Sequence, residues 1–292
     1  MSERRPRPHE GLFWRRLAHW GASRGPEWWV RYSPPFFGWA AAALVPSARR
    51  AVRRNLHRIR GPGGRTRDTR EVLATFSNYA SCLAEILSAD SPKGPRHGEK
   101  ETRHGDRLRA ALAEGRGAVV VTAHTGGWES VGPLITRDYG APLMIAMQPE
   151  PDPRARRLQD RARVRAGVEI AHIGGDDPLA SLALLRHLRA GGVVALQLDR
   201  VAPGMRTREV TLLGAKARIP EGPLRLAQLT GAPILPIFSA RTAYRRYVVE
   251  VYPSRTLARR ASDPEIDEAA QHLAACMGDF LRSHPTQWFH FG

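Results

Sequence analysis

Two histidines in the chain stand five residues before an acid: His124 before Glu129 in "AHTGGWES", and His172 before Asp177 in "AHIGGDDP". An imidazole beside a carboxylate can take a proton from a hydroxyl near neutral pH, while the carboxylate fixes the tautomer and stabilises the imidazolium. Such a pair suits acyl transfer from a thioester to an alcohol. Spacing does not choose between the two. With 11 histidines and 28 acids in 292 residues, about one such pair arises by chance. His124 could equally bond a backbone carbonyl, and Glu129 could complement a helix dipole.

Position separates the candidates better. "AVVV", Ala118–Val121, is a run of β-formers with His124 just past its end, and Gly126 and Gly127 follow as a tight turn into a helix starting near Trp128 and Glu129. Ligands of open α/β sheets bind beyond the carboxyl ends of strands. The rest of the chain repeats a helix, a glycine stop and an apolar strand. "DRLRAALAEG" precedes Ala118–Val121, and "DPRARRLQDRARVRAG" precedes "VEIAHI". A helix over Pro178–Ala190, capped by Asp177, precedes "VVALQL", and "PEGPLRLAQLTG" precedes "APILPIFSA". "APLMIAM" and "RYVVEVYP" read as further strands, and "DPEIDEAAQHLAACMGDFLRSHP" as a terminal helix. This order predicts an α/β fold: a central, largely parallel sheet flanked by helices. Ahead of it, "ARRAVRRNLHRIRG" and "TREVLATFSNYASCLAEILSAD" have helical periodicity, and "SPKGPRHGEKETRHGD" reads as a polar connector with little regular structure.

Other chemistries lack their residues. There is no GK[ST] or GxGxxG phosphate loop, no GxSxG elbow and no HExxH, and His124 and Glu129 have no evident third metal ligand, so no metal or cofactor is expected. Two scattered cysteines, Cys82 and Cys276, fit a reduced compartment without a disulfide framework. The net charge of +17 predicts anionic partners: nucleic acid, an acidic lipid surface or an acidic carrier protein. No nucleic-acid-binding motif accompanies it, so nucleic acid is not the expected partner.

Five of the seven tryptophans fall in the first 39 residues, interleaved with Arg15, Arg16, Arg24 and Arg31. Phe13, Leu17 and Trp20 share one helical face. The apolar run Phe36–Pro46 has 11 residues, well short of the about 20 that cross a bilayer. Residues 1–46 therefore read as an amphipathic segment lying on a membrane surface, or else as an aromatic cap on the core. Residues 47–292 form the catalytic domain.

Several blocks, in order, resemble the bacterial lipid A biosynthesis acyltransferases, a family that includes the phosphatidylinositol mannoside acyltransferases. They are "RRAVRRNL", "EGRGAVVVTAHTGGWE", "RARVRAGVEI", "LRAGGVVALQLDR", "LLGAKARIPEGPLRLAQLTGAPILPIF" and "HPTQWFHF". The resemblance implies a glycerolipid acyltransferase-like fold with an N-terminal helical extension. It also implies transfer of a fatty acyl chain from acyl carrier protein or coenzyme A to a glycolipid hydroxyl, without metal. On it, His124 is the general base and Glu129 orients it, while Asp177 is left as a helix cap. Asp199 and Arg200 line the same cleft, and Arg163 binds acceptor phosphate or the oxyanion. Gly126, Gly127 and Trp128 belong to the substrate-binding turn. A peripheral, monomeric protein on the cytoplasmic face of the inner membrane is expected, with acyl carrier protein and anionic lipids as partners. Three departures keep the acceptor open. No run spans a membrane, Leu212-Leu213-Gly214 stands where Phe-Phe-Gly is usual, and "QWFHFG" stops short of the usual basic tail. A lipid A precursor, a lysophospholipid, an amino-acid lipid and a phosphatidylinositol mannoside all fit, as does a non-catalytic lipid- or nucleic-acid-binding protein on the same fold.

Overall fold

The computed structural model describes residues 21, 24–89, 98–128, 131–148, 168–173 and 180–292. The expected face Phe13–Trp20, the helix over 152–167 and the Asp177 cap lie outside these residues.

Four helices open the described chain: α1 (Glu27–Tyr32), α2 (Pro34–Leu44), α3 (Pro46–Arg60) and α4 (Arg65–Ala89). The α/β body follows as β1 (Glu99–Arg103), α5 (Gly105–Ala113), β2 (Ala118–Thr122), a helical turn over Val131–Asp138, β3 (Leu143–Met147), β4 (Val168–His172), α6 (Ala180–Arg189) and β5 (Val193–Gln197). It ends with β6 (Thr207–Leu212), β7 (Ala215–Pro220), α7 (Gly222–Thr230), β8 (Ile234–Ala243), β9 (Arg246–Val251) and α8 (Asp263–Ser283).

Seven strands form one sheet in the order β1-β9-β8-β2-β5-β3-β4. The run from β8 to β4 is parallel, and only the β8–β9 pair is antiparallel. β2 lies at the centre and is buried at every residue. Its three valines suit a strand covered on both faces. On one face Val119, Val121, Val194 and Leu196 pack against Leu188, Leu224 and Ala270 of α6, α7 and α8. On the other, Val120 and Ala195 pack against Leu108 of α5 and Ile135. The result is a three-layer α/β/α body.

Two elements differ from the sequence reading. The polar connector carries β1, which pairs in parallel with β9 at the sheet edge. Its residues Glu99, Lys100, Glu101, Thr102 and Arg103 offer no apolar face, so no hydrophobic alternation marks it. Residues 207–220 form the β6–β7 hairpin, a separate two-stranded sheet. Arg58 holds its tip through the carbonyls of Leu212, Ala215 and Lys216. Arg208 ties its base to Glu221, Asp263 and Asp267.

The helical extension packs on itself through Ala42, Val52, Leu56, Val72 and Phe76. It joins the body through Glu85 of α4, whose buried carboxylate meets the Arg241 guanidinium at 2.7 and 2.8 Å and also bonds the Tyr247 hydroxyl. The outward side of α1 and α2 stays apolar: Trp28, Phe36 and Phe37 are 62, 64 and 60% exposed, with Trp39 and Leu44 beside them. No described helix is long and apolar enough to cross a membrane.

Candidate active site

β2 and β5 run side by side with Val120 opposite Ala195 and Thr122 opposite Gln197. Beyond the strands the pairing continues, since the Leu198 amide donates to the Thr122 carbonyl at 2.8 Å. Two residues further along each strand come His124 and Asp199. His124 Nδ1 lies 2.9 Å from Asp199 Oδ1, and the carboxylate has no exposed surface while the imidazole keeps 16% of its own. Asp199 Oδ2 accepts two more bonds, from the His124 amide and from the Trp288 indole Nε1–H, each at 3.1 Å.

Burial alone would push the Asp199 carboxyl up. The bond from His124, its positive charge when protonated, the Trp288 indole and the His124 amide outweigh burial and hold it below the usual carboxylate range. An ionised carboxylate only accepts, so the proton on Nδ1 is the imidazole's and Nε2 is left with its lone pair. The arrangement can therefore remove a proton at Nε2 and stabilise the imidazolium that forms.

The chain's C-terminal segment completes the site. The Phe289 amide donates to the His124 carbonyl at 2.7 Å, and the Gly126 amide donates to the Gln287 carbonyl at 3.0 Å. Thr125 and Trp288 thus form an isolated antiparallel bridge. A Cβ at Gly126 would fall on Gln287 Oε1, which itself accepts from the Arg241 amide at 3.0 Å. Gly127 turns the chain at φ 79°. His290 stacks on Trp288, ring centroids 5.4 Å apart, and its carbonyl accepts from Asn55 Nδ2 of α3 at 2.7 Å. Burial pushes the His290 imidazole down; Asp199 pulls it up, and Arg200, His124 and Arg58 push it further down.

Beside the pair lies a cleft lined by Val120, Thr122, Trp128, Ile135, Ile145 and Gln197 among others. Trp128 joins it to the histidine, its ring 6.0 Å from that of His124. Apart from Thr122 and Gln197 the lining is mostly apolar, which suits an acyl chain.

Of the residues singled out in the sequence, His124, Gly126, Gly127, Trp128 and Asp199 meet here, and Arg200 follows Asp199 with its side chain in solvent. Glu129 and Arg163 lie outside the described residues. The carboxylate on His124 Nδ1 is that of Asp199. Sequence reasoning assigned no role to Gln287 or Trp288, 163 and 164 positions beyond His124, because nothing local in "PTQWFHF" marks a partner for a strand-end acid. Thr122 and Gln197 carry a positional signal: each ends its strand two residues before a site residue.

The chain matches the family model for bacterial lipid A biosynthesis acyltransferase over residues 3–292. It is also similar to a protein of Mycobacterium tuberculosis (strain CDC 1551 / Oshkosh) named phosphatidylinositol mannoside acyltransferase. The two are 27% identical over 281 residues, covering 94% of this chain and 85% of the relative. A protein of the same name from Mycolicibacterium smegmatis is 26% identical over 240 residues, covering 81% of this chain and 76% of its own length.

Proposed function

Given that this chain belongs to the bacterial lipid A biosynthesis acyltransferase family, we propose that it moves a fatty acyl chain from a thioester donor to a hydroxyl of a glycophospholipid at a membrane surface. The relatives named as phosphatidylinositol mannoside acyltransferases favour a mannoside hydroxyl over a lipid A precursor as the acceptor. The observation that carries the mechanism is the His124–Asp199 pair at the edge of an apolar cleft. His124 Nε2 takes the proton of the acceptor hydroxyl as its oxygen attacks the thioester carbonyl. Asp199 holds the ring through Nδ1 and balances the imidazolium. On collapse of the intermediate the C–S bond breaks, and the imidazolium returns its proton to the departing thiolate. The acyl chain lies in the cleft bounded by Ile135, Ile145 and Trp128. Glu129 assists His124, and Arg163 binds the acceptor's phosphate, as the family resemblance implies.

The donor is carried by coenzyme A or acyl carrier protein, both anionic. The basic face of α3, with Arg50, Arg53 and Arg54 exposed, supports such a partner. α3 also reaches the site, through Asn55 on the His290 carbonyl and the Arg58 charge beside His290. The outward aromatics of α1 and α2, with Arg24 and Arg31 exposed near them, support peripheral binding to an anionic bilayer, where indoles settle at headgroup depth.

The deciding experiment measures transfer from palmitoyl-coenzyme A and from palmitoyl-acyl carrier protein to extracted phosphatidylinositol mannosides. A His124→Ala variant should fold normally and lose about 10²–10⁴-fold in rate; full activity would overturn the mechanism. Changing Trp28, Phe36 and Phe37 together to serine should release the protein from vesicles containing an anionic phospholipid, and unchanged binding would refute the membrane surface.

A further inference from the structure

Attack on a thioester turns its carbonyl oxygen into an oxyanion, and backbone amides of a tight turn are the usual donors to it. In this protein the amides of the His124 turn are already engaged. That of His124 bonds Asp199, and those of Thr125, Gly126 and Trp128 bond the carbonyls of Ala123, Gln287 and Thr125. The Gly127 amide bonds the sulfur of buried Cys82. Among the described residues of the turn, His124 to Trp128, every amide is thus engaged, which points to side chains.

Two polar side chains interrupt the apolar cleft one step below the catalytic pair. Thr122 and Gln197 are register partners on β2 and β5 and both line the cleft. Alternation along a strand puts them on the same sheet face as the residues two further on, His124 and Asp199. Thr122 is only 8% exposed, and its Oγ1 is buried with no hydrogen-bond partner among the described residues. The half-buried Gln197 amide bonds no described residue through its side chain. A buried polar atom without a partner calls for an explanation, and in a cleft beside a proton-transfer pair a ligand supplies one.

We propose that Gln197 and Thr122 are the oxyanion-binding groups of this site. The inference deepens the acyltransferase reading and rests on it. As the acceptor oxygen bonds the carbonyl carbon, the C=O electron pair moves onto oxygen. That oxygen accepts from Gln197 Nε2–H and, after rotation about χ1, from Thr122 Oγ1–H. On collapse the pair returns, C=O reforms, the C–S bond breaks and the thiolate takes its proton from His124. The apolar tail then runs on from Thr122 toward Val120, Ile135 and Ile145, so the two donors mark where chain ends and reacting carbon begins.

The test uses the full chain with the same donors and acceptor. Gln197→Met keeps length and loses the amide; it should lower kcat by about 10²–10³-fold, with KM for both substrates within about twofold of wild type. Thr122→Val is isosteric; it should lower kcat about tenfold or more while melting at the wild-type temperature or above, because it removes a hydroxyl that has no partner in the fold. The pH dependence of kcat/KM should not move in either variant, since the base is untouched. Wild-type kcat in the double variant, losses confined to KM, or a Thr122→Val melting point that falls in step with activity would each overturn the assignment. If His124→Ala also keeps full activity, the acyl-transfer mechanism falls and the oxyanion site with it. If only His124→Ala is impaired, the oxyanion site alone is wrong.

Discussion

Substituting the two partners of Asp199 in turn separates its charge from its support. The carboxylate has no exposed surface and accepts three bonds, two from His124 and one from Trp288. Trp288→Phe keeps a ring in place and removes only the indole N–H. A hydrogen bond to a charged group contributes about 1.5–3 kcal/mol. At about 2–4 °C per kcal/mol for a chain near this size, the melting point should fall by roughly 3–12 °C. Losing that bond also raises the Asp199 pKa, because the indole N–H favours the ionised form. Because that carboxyl starts below its usual range, the variant remains ionised at neutral pH, and two bonds from His124 still hold it. Activity at pH 7.5 should therefore stay within about tenfold of wild type. Asp199→Asn should lose about 10³–10⁴-fold, since it removes the charge that stabilises the imidazolium and permits the wrong tautomer. Acid titration adds a signed test. A carboxyl depressed on folding stabilises the native state above its unfolded pKa of about 3.9, and that stability is lost as pH falls toward the folded value. In Trp288→Phe less stability should remain to be lost below about pH 4. Thermal melts and kcat across this pH series are the assay. Full activity in Asp199→Asn, or a folded Trp288→Phe as inactive as Asp199→Asn, would refute the reasoning.

Three further outcomes follow from the same geometry. Gly126→Ala would drive a methyl onto Gln287 Oε1 and to 2.8 Å from the Arg241 amide nitrogen; the C-terminal segment must shift, costing about 1–3 kcal/mol, seen as a lower denaturation midpoint together with lost acyl transfer. His290, held below its usual range by burial and by Arg200, His124 and Arg58 against the pull of Asp199, binds its proton more readily unfolded. Stability should be complete above about pH 6.5 and decline as pH falls through it, and His290→Phe should flatten that decline in melts between about pH 5 and 7.5. Ile145 lines the cleft wall; Ile145→Trp should shift preference toward shorter saturated thioesters and Ile145→Ala toward longer ones, measured as kcat/KM across a donor series, and an unchanged profile would place the acyl chain elsewhere.

What could be read from the chain was set by how locally each feature is encoded. The buried run Ala118–Thr122, the glycine stops and the helical period of α8 are short-range signals, so the α/β order emerged from them. β1 escaped because an edge strand with neither face in the core needs no apolar alternation. The β6–β7 hairpin escaped because its basic, half-exposed strands bury little beyond Val210, Leu212 and Ile219, while Arg58 and the hairpin's own Arg208 tie it to elements distant in sequence.

The site shows the same division more sharply. A His-x4-acid spacing draws attention to Glu129 because the two are neighbours in sequence, yet parallel pairing makes neighbours of residues 75 apart. Once β2 and β5 are paired, every second residue along them shares one face. Reading inward from His124 gives Thr122 and Val120, and from Asp199 gives Gln197 and Ala195: a proton-transfer pair, then a pair of neutral polar groups, then an apolar floor. That gradient is the order in which a thioester presents its parts, with the attacking hydroxyl outermost, the carbonyl beneath it and the alkyl chain last. The described turn amides do not supply the middle layer, because the C-terminal segment occupies Gly126 and Asp199 occupies His124. The chain end that locks the base in place is thereby also what moves oxyanion binding from the backbone to Thr122 and Gln197.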